Sequence, residues 1–219
     1  MRTPIRASSE QTRAALVAAG LRLFGRNGFD ATPIRDIAAE AKTNVASIAY
    51  HFGSKEGLRL ACAHTVAERM REVAGQTILT SDPGGNRDKA LAILEQALTA
   101  MVHFMAARPE AGDIATFMMR EMADPGAAVE LIYAELVGPV HKALCRLWGT
   151  ATGGDPESHA TRLAVFAMAG QIIYFRIGRP MVLKRMEWRD IGPAEAAEIA
   201  ATITGNLRAI AAASRGGEG

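Results

Sequence analysis

The sequence predicts an all-α protein in which a small N-terminal domain precedes a larger helical one. Apolar residues recur at three- and four-residue spacing through nearly the whole chain, and no strand-like alternation persists. Aromatic residues make up only 5% of the chain and alanine is abundant, which also favours helices over sheets. The 219 residues, 49% of them hydrophobic, are enough to bury a core.

The first predicted helix begins at Ser8, which forms a capping box with Gln11, and ends at Asn27-Gly28. Phe29 follows this helix and is expected to close a small core. The apolar face of the helix is expected to hold Thr12, Ala15, Leu16, Ala19 and Leu23.

Two short helices come next, separated by a tight turn at 41–43. The second helix has Thr32 as its expected N-cap and Pro33 at its first position. The third has Asn44 as its expected N-cap and ends at Gly53. Their expected inward faces are Ile34, Ile37, Ala38 and Ala41, and Val45, Ile48, Ala49 and Phe52.

A long fourth helix, capped by Ser54, is expected to reach Leu79, and a loop follows at 80–86. Its expected inward face starts with Leu58, Ala61, Cys62 and Thr65. Further helices are expected at 87–107, 110–123, 126–149, 157–177 and 194–214. Pro139 should kink or split the helix at 126–149, because proline cannot donate a backbone hydrogen bond.

The charge of the chain is unevenly distributed. Residues 1–55 carry eight Lys and Arg against four Asp and Glu, a net charge of +4, whereas residues 56–219 carry 17 against 19, a net charge of −2. A basic front on a slightly acidic body indicates a polyanionic partner, although on charge alone a solvated basic surface is an equal alternative.

Two short helices around a tight turn are typical of a helix-turn-helix, whose second helix enters the DNA major groove. Asn44, Ser47 and His51 share the outward stripe of the third helix, with Ala46 and Tyr50 beside it. Helix N-termini bind phosphate through free N–H groups, and basic residues near the chain start are expected on a flexible arm that follows the backbone. The candidate DNA-contacting residues are Arg2, Arg6, Thr32, Thr43, Asn44, Ala46, Ser47, Tyr50, His51 and Lys55. Each of them alone has a simpler explanation as an exposed polar residue, and Tyr50 as a packing residue.

The segments TPIRDIA, from Thr32, and NVASIAYHFGSKEGL, from Asn44, strongly resemble the TetR/AcrR family of regulators over residues 10–60. The resemblance implies a homodimer of about nine helices, with a DNA-binding domain at 1–55 and an effector-binding and dimerisation domain at 56–219. It also implies a double-stranded, palindromic operator and repression as the default. A weaker resemblance, through the segments RPE, REM, DP, GQ and RP between 108 and 180, is to the CecR-like subgroup and implies a hydrophobic or aromatic effector.

Two positions depart from the family pattern. Lys42-Thr43 stands where the family usually has Gly then Val, and the glycine there serves a left-handed backbone. Lys42 in place of glycine should therefore lower the free energy of unfolding by on the order of 1 kcal/mol. Ala49 stands where the family often has a polar or aromatic residue that can touch DNA, so the operator sequence cannot be copied from relatives.

The C-terminal region is rich in Met and Phe, which suit an adaptable, mostly apolar pocket between helices. The candidate effector-binding residues are Met101, His103, Phe104, Met105, Phe117, Met118, Arg120, Met122, Phe166, Gln171 and Tyr174. Arg176 is a further candidate for a polar contact. Ordinary core packing is the alternative for each of these residues. The helices at 157–177 and 194–214 are expected to form a two-fold four-helix dimer interface, with packing inside one chain as the alternative.

Two other classes of function are alternatives to a regulator. An enzyme is disfavoured because the chain has no P-loop, nucleophile elbow or dinucleotide-binding glycine motif, and no cofactor is expected. His64 with Glu68 and His141 with Cys145 have helical spacing, but each pair lacks a third metal ligand. A helical interaction module without DNA binding would leave the basic front unexplained.

A cytoplasmic location is expected. Cys62 and Cys145 lie far apart, which does not suggest a disulfide framework. No apolar run follows the N-terminal arginines, so no signal peptide is expected. The longest apolar stretch, 163–175, is interrupted by Gln171 and is shorter than the roughly 20 residues of a membrane helix.

Overall fold

The computed structural model describes residues 4–216, and within that range the chain forms helices and no strands. Residues 4–8, 74, 215 and 216 are described by their backbone only. The α-helices are α1 (Pro4–Asn27), α2 (Ile34–Glu40), α3 (Ala46–Phe52), α4 (Lys55–Met70), α5 (Gln76–Thr80), α6 (Arg87–Ala107), α7 (Glu110–Ala123), α8 (Ala127–Ile132), α9 (Gly138–Thr152), α10 (His159–Ile177), α11 (Arg179–Met186) and α12 (Pro193–Gly216). The predicted all-α class is confirmed.

The helices form two compact units. The first unit contains the described residues up to 69 together with 113–135, so α7 and α8 join α1–α4. Its fully buried side chains include Leu16, Phe24, Ile37, Leu58 and Phe117. The second unit contains residues 70–112 and the chain from 136 onward. Its fully buried side chains include Leu94, Val102, Ile191, Ile203 and Leu207.

The start of α1 differs from the sequence prediction. The helix already includes Pro4, the first described residue, and so extends on the N-terminal side of the predicted start at Ser8. Its end at Asn27 is confirmed, since Gly28 has a φ of +85° and its N–H donates to the carbonyl of Phe24 at 2.9 Å. A left-handed glycine directly after a helix is a common stop.

Two helices continue through a π-helical turn. Arg71–Gly75 joins α4 to α5, so the predicted long fourth helix extends to Thr80. Tyr133–Val137 joins α8 to α9, and Pro139 lies in the first turn of α9. The predicted interruption near Pro139 is therefore confirmed. It takes the form of a wider turn, which leaves the proline where its missing N–H costs no bond.

The central helix of the second unit is α6. It is long and apolar enough to cross a membrane by length and composition, and 44% of its most apolar window is buried within the protein. The sequence analysis singled out 163–175 instead. Because α6 packs against α9, α10 and α12, it has the character of a core helix.

The C-terminal end of α6 is capped by two arginines. Arg176 donates to the carbonyls of Met105 and Arg108 at 3.4 and 3.5 Å, and Arg179 donates to the carbonyl of Ala106 at 2.6 Å. Guanidinium groups suit this end because the last carbonyls of a helix lack partners and carry partial negative charge. Arg176, an effector candidate on sequence grounds, thus has a structural role.

The helix α11 was missed by the sequence analysis. The sequence predicted no helix between 177 and 194, but α11 forms there with Pro180 in its first turn, where proline is favoured.

Candidate DNA-binding face and effector domain

The start of α3 is organised by side-chain hydrogen bonds. The Oδ1 atom of Asn44 accepts from the backbone N–H of Ser47 at 3.0 Å and from its hydroxyl at 3.2 Å. The hydroxyls of Thr43 and Ser47 lie 2.8 Å apart. The predicted capping by Asn44 is confirmed, and the three predicted DNA-contacting residues of this turn form one polar network. This arrangement orders the three side chains at the start of α3.

The inward face of α3 is narrower than predicted. Ile48 is buried and Phe52 is half-buried, but Val45 is 40% exposed and Ala49 is exposed as well. The prediction that Val45 and Ala49 point inward is wrong, because only the narrow stripe of Ile48 and Phe52, four residues apart on α3, packs inward. The outward face is correspondingly broader and includes apolar positions.

Tyr50 and His51 form the C-terminal part of that outward face. Tyr50 is 79% exposed, which is the opposite of what a packing role would require. His51 is half-buried, and its ring meets the Tyr50 ring edge-on at 4.9 Å between centroids. Ala46 and Asn44, earlier in the same segment, are exposed as well.

Thr32 does not cap α2. Its side chain is fully buried, and its hydroxyl donates to the carbonyls of Gly28 at 2.6 Å and Leu23 at 3.2 Å. The N-cap position belongs to Pro33, which offers no side-chain bond. The predicted cap is therefore wrong, because the hydroxyl satisfies carbonyls at the end of α1 instead.

The N-terminus of α4 matches the prediction. The Ser54 hydroxyl oxygen accepts from the backbone N–H of Gly57 at 3.0 Å. The ammonium of Lys55 lies 4.4 Å from the centroid of the Phe29 ring and 3.5 Å from the carbonyl of Asp30. Lys55 is thus held over the loop between α1 and α2 by a cation–π contact.

The predicted N-terminal arm carries Arg2 and Arg6. Arg2 lies outside the described residues. The backbone of Arg6 belongs to α1, so the expectation of a flexible arm at this position is not met.

The turn between α2 and α3 confirms the prediction for Lys42. Its φ is 54°, in the left-handed region that disfavours side chains with a Cβ atom. The turn is closed by backbone bonds from Lys42 N–H to the carbonyl of Ala39 and from Thr43 N–H to that of Ala38. These bonds hold the strained residue in place.

An ion pair that was not predicted from the sequence joins α4 to α7. Arg59 donates to both carboxylate oxygens of Glu121, at distances of 2.7 to 3.1 Å. These hydrogen bonds raise the pKa of Arg59. A signal was present in the sequence: Glu121 continues the apolar spacing of Ile114, Phe117 and Met118, where a charged residue needs a buried partner.

The predicted effector residues are divided between the two units. Phe117, Met118, Arg120 and Met122 belong to the first unit and the remaining seven to the second. Three of them are buried, namely Phe104, Met105 and Phe117. Three more are half-buried, namely Met101, His103 and Met118. Three others are already engaged: Arg120 donates to the carbonyl of Arg26, Gln171 accepts from Asn206, and Phe166 stacks on His141. Met122, Phe166 and Tyr174 are more than half exposed.

An open groove of about 530 Å³ lies between α6 and α12 of the second unit. A bidentate ion pair between Glu95 and Arg208, with both hydrogen bonds at 2.6 Å, borders it. None of the predicted effector residues lines this groove. Its lining residues are Ala92, Glu95, Gln96, Thr99, Ala100, Thr204 and Arg208.

The two residue pairs with metal-like spacing have ordinary contacts. His64 lies between Glu68, at 3.3 Å from Nε2, and Glu135, at 2.7 Å from Nδ1. The sulfur of Cys145 is 3.6 Å from Nδ1 of His141. Within residues 4–216 no three candidate metal ligands converge. Burial raises the pKa of both Cys62 and Cys145 and so disfavours their thiolates.

Comparison with known proteins gives two family matches. The family described as bacterial regulatory proteins, tetR family, matches residues 16–62, and the C-terminal domain of the HTH-type transcriptional dual regulator CecR matches residues 90–214. The chain is 34% identical to CecR of Shigella flexneri over 89% of both chains. It is 26% identical to the regulatory protein RaaS of Mycobacterium tuberculosis over 85% of this chain and 82% of the relative.

The fold is also similar to solved structures. AibR, in its complex with isovaleryl coenzyme A and operator DNA, superposes with a TM-score of 0.67 at 16% identity, covering 90% of this chain and 97% of AibR. At this identity the similarity concerns the fold alone.

Proposed function

Because this chain belongs to the TetR family of bacterial regulatory proteins and carries a CecR-type C-terminal domain, we propose that its exposed α3 face reads an operator in the major groove. The chain is a DNA-binding transcriptional regulator. The observation that carries the proposal is the ordered outward face of α3, where the network of Thr43, Asn44 and Ser47 adjoins the 79%-exposed Tyr50. Short polar side chains at the start of a recognition helix reach base edges.

The other contacts are assigned to the DNA backbone. Tyr50 and His51 lie toward the end of α3 and suit phosphate oxygens, as does Lys55 at the N-terminus of α4. Thr32 is buried, so its proposed part is to hold the N-terminus of α2 through Gly28 and Leu23. Ala46 offers a methyl group to a base. Arg2 and Arg6 remain proposed backbone contacts.

We propose a homodimer that joins two such faces on a palindromic operator. The support is the exposed apolar side of α10, which includes Leu163, Phe166, Ile173, Tyr174 and Ile177. A contiguous apolar surface of this kind marks an interface in a soluble protein. The exposed side of α12 carries the small residues Ala201, Gly205 and Ala209, which permit a helix of the partner subunit to pack closely against it.

The domain at 56–219 is proposed to bind a largely hydrophobic or aromatic effector whose binding releases the operator. The support is the density of Met and Phe on α6 and α7. Repression is the expected default, and the cytoplasm is the expected location. An effector shifts the equilibrium only if it binds the DNA-competent and DNA-free states unequally.

The test begins with a duplex selected by the purified protein from a randomised pool. Tyr50→Ala should weaken binding to all duplexes alike and leave the slope of log K against log salt nearly unchanged, because a neutral hydroxyl hydrogen-bonds a phosphate without neutralising its charge. Ser47→Ala should instead change which bases are preferred. Lys142→Ala, an exposed basic residue on α9, is the control and should change neither property.

Two results would contradict the proposal. One is that wild-type protein selects no sequence at moderate salt, and the other is that Tyr50→Ala and Lys142→Ala behave identically. The same binding assay with a panel of apolar and aromatic compounds tests the effector. A true effector should both release the duplex and raise the melting temperature of the free protein.

A further inference from the structure

Glu121 has an unusual environment for a carboxylate. Among the charged residues in the described part of the chain, only Glu121 is buried, with 2% of its surface exposed. Its partner Arg59 is itself mostly buried, with a side chain 12% exposed. A bidentate pair of this kind fixes the orientation of the guanidinium as well as its distance from the carboxylate, since two parallel hydrogen bonds must form together.

The guanidinium of Arg59 has a second contact that leads toward the proposed DNA surface. Its Cζ atom lies 4.7 Å from the centroid of the Phe29 ring. The same ring carries the ammonium of Lys55 at 4.4 Å. Contacts therefore run without a gap from Glu121 through Arg59 and Phe29 to Lys55, whose phosphate contact is proposed above.

The end of α7 is also fixed to α1. Arg120, next to Glu121, donates to the carbonyl of Arg26 at 3.0 Å. A Cβ atom on Gly25 would stand only 3.0 Å from the backbone nitrogen of Phe117, so the two helices meet backbone to backbone. All these residues belong to the first compact unit, whereas α7 begins at Glu110 in the second. Within the first unit, α7 thus contacts both α1 and α4, the helices that flank the DNA-reading pair.

We propose that Glu121 is a positioning residue for operator binding: by holding Arg59 against Phe29 it sets the direction of Lys55 and the geometry of the loop between α1 and α2. This inference rests on the proposed phosphate contact of Lys55. A displacement of α7 then reaches the DNA surface through this pair, because the close bidentate hydrogen bonds to Glu121 hold the guanidinium more firmly than its longer ion pair with Glu56 at 3.7 Å.

The experiment is a double-mutant cycle on the selected duplex. Glu121→Gln should weaken binding about tenfold and lower the salt slope by about 1, as Lys55→Ala does, although the buried amide that replaces the carboxylate would touch no phosphate. The double variant should bind the duplex no more weakly than Lys55→Ala alone, since both substitutions remove the same phosphate contact of Lys55. All binding is measured well below the melting temperature of each variant, so that only folded protein is compared.

The control has the same charge change. Glu130→Gln, at an exposed position of α8 in the same unit, also adds one unit of positive charge and should bind DNA equally well or slightly better. If Glu121→Gln does not fold, Arg59→Lys takes its place, since lysine keeps the charge but loses the bidentate fork.

The outcomes separate the two proposals. If Lys55→Ala leaves the salt slope unchanged, the phosphate contact is wrong. If Lys55→Ala lowers the slope but Glu121→Gln and Arg59→Lys only lower the melting temperature, Glu121 is structural and the positioning role is wrong. Full additivity in the double variant would also overturn it.

Discussion

Lys42 stores strain in the turn that separates α2 from α3. Its φ of 54° costs a residue with a Cβ atom roughly 1–2 kcal/mol, whereas glycine adopts it freely. Replacement by glycine also increases the entropy of the unfolded chain, which offsets about 0.4–1 kcal/mol of the gain. We expect Lys42→Gly to raise the free energy of unfolding by about 0.5–1 kcal/mol, measured by urea denaturation at constant m-value.

Glu187 provides a matched comparison, because its φ is 58° and it follows α11 in the other unit. Glu187→Gly should stabilise by a similar amount. If Lys42→Gly is destabilising while Glu187→Gly is stabilising, the Lys42 side chain makes a favourable contact that outweighs its backbone strain. The strain account of this turn would then be wrong.

Residues whose partners are close in sequence were predictable, and those with distant partners were not. Asn44 caps Ser47 three residues away, and Lys42 lies in a turn defined by its neighbours. Arg59 and Glu121 are 62 positions apart, so only the folded chain identifies them as partners. Thr32 is an exception, because its acceptors at Gly28 and Leu23 lie only four and nine residues earlier, and the sequence pattern favoured a cap on α2 over a bond back to the end of α1.

At the scale of elements, the junction of α3 and α4 depends on a glycine. A Cβ atom on Gly57 would collide with the carbonyl oxygen of Phe52, a backbone atom that cannot move without displacing the end of α3. We expect Gly57→Ala to lower the free energy of unfolding by about 1–3 kcal/mol, despite the better helix propensity of alanine. Thermal and urea denaturation would measure this change.

Gly126→Ala serves as the control in the same unit. Its Cβ atom would lie 3.8 Å from the Arg59 side chain, an ordinary contact, and its φ of −149° suits any residue. This variant should be neutral or slightly stabilising. Equal effects of the two substitutions would show that the approach of α3 to α4 is not the cause.

Helix boundaries were predictable where strong local signals mark them. The predicted ranges 87–107 and 110–123 coincide with α6 and α7, since Asn86 caps α6 and Arg108-Pro109 separates the two helices. The π-helical turn at Arg71–Gly75 left no such signal, whereas Pro139 signalled an interruption near Tyr133–Val137 but not its π-helical form. Similarly, the sequence could not show that α7 would join the unit of α1–α4.

At the scale of the whole molecule, the exposed apolar face of α10 has to be reconciled with solubility. A single helix-turn-helix reads few base pairs, and two recognition helices about 34–36 Å apart match successive major grooves. The same dimer that covers the apolar face of α10 would therefore also supply the second DNA-reading face. Assembly and operator affinity should consequently be lost together when the face is disrupted.

Leu163→Asp tests this link. Leu163 is 63% exposed on α10, so an aspartate there costs the folded monomer little but would be buried without a partner in the proposed dimer. We expect sedimentation to show monomers and affinity for a palindromic duplex to fall by at least 100-fold, on the order of 3 kcal/mol, while the unfolding of the monomer remains cooperative.

Met181→Asp is the control, because Met181 is 68% exposed but lies on α11, outside the proposed interface. It should remain dimeric and bind normally. A dimeric Leu163→Asp, or a monomeric Met181→Asp, would place the interface elsewhere. A monomer that still binds the full palindrome tightly would separate DNA binding from dimerisation.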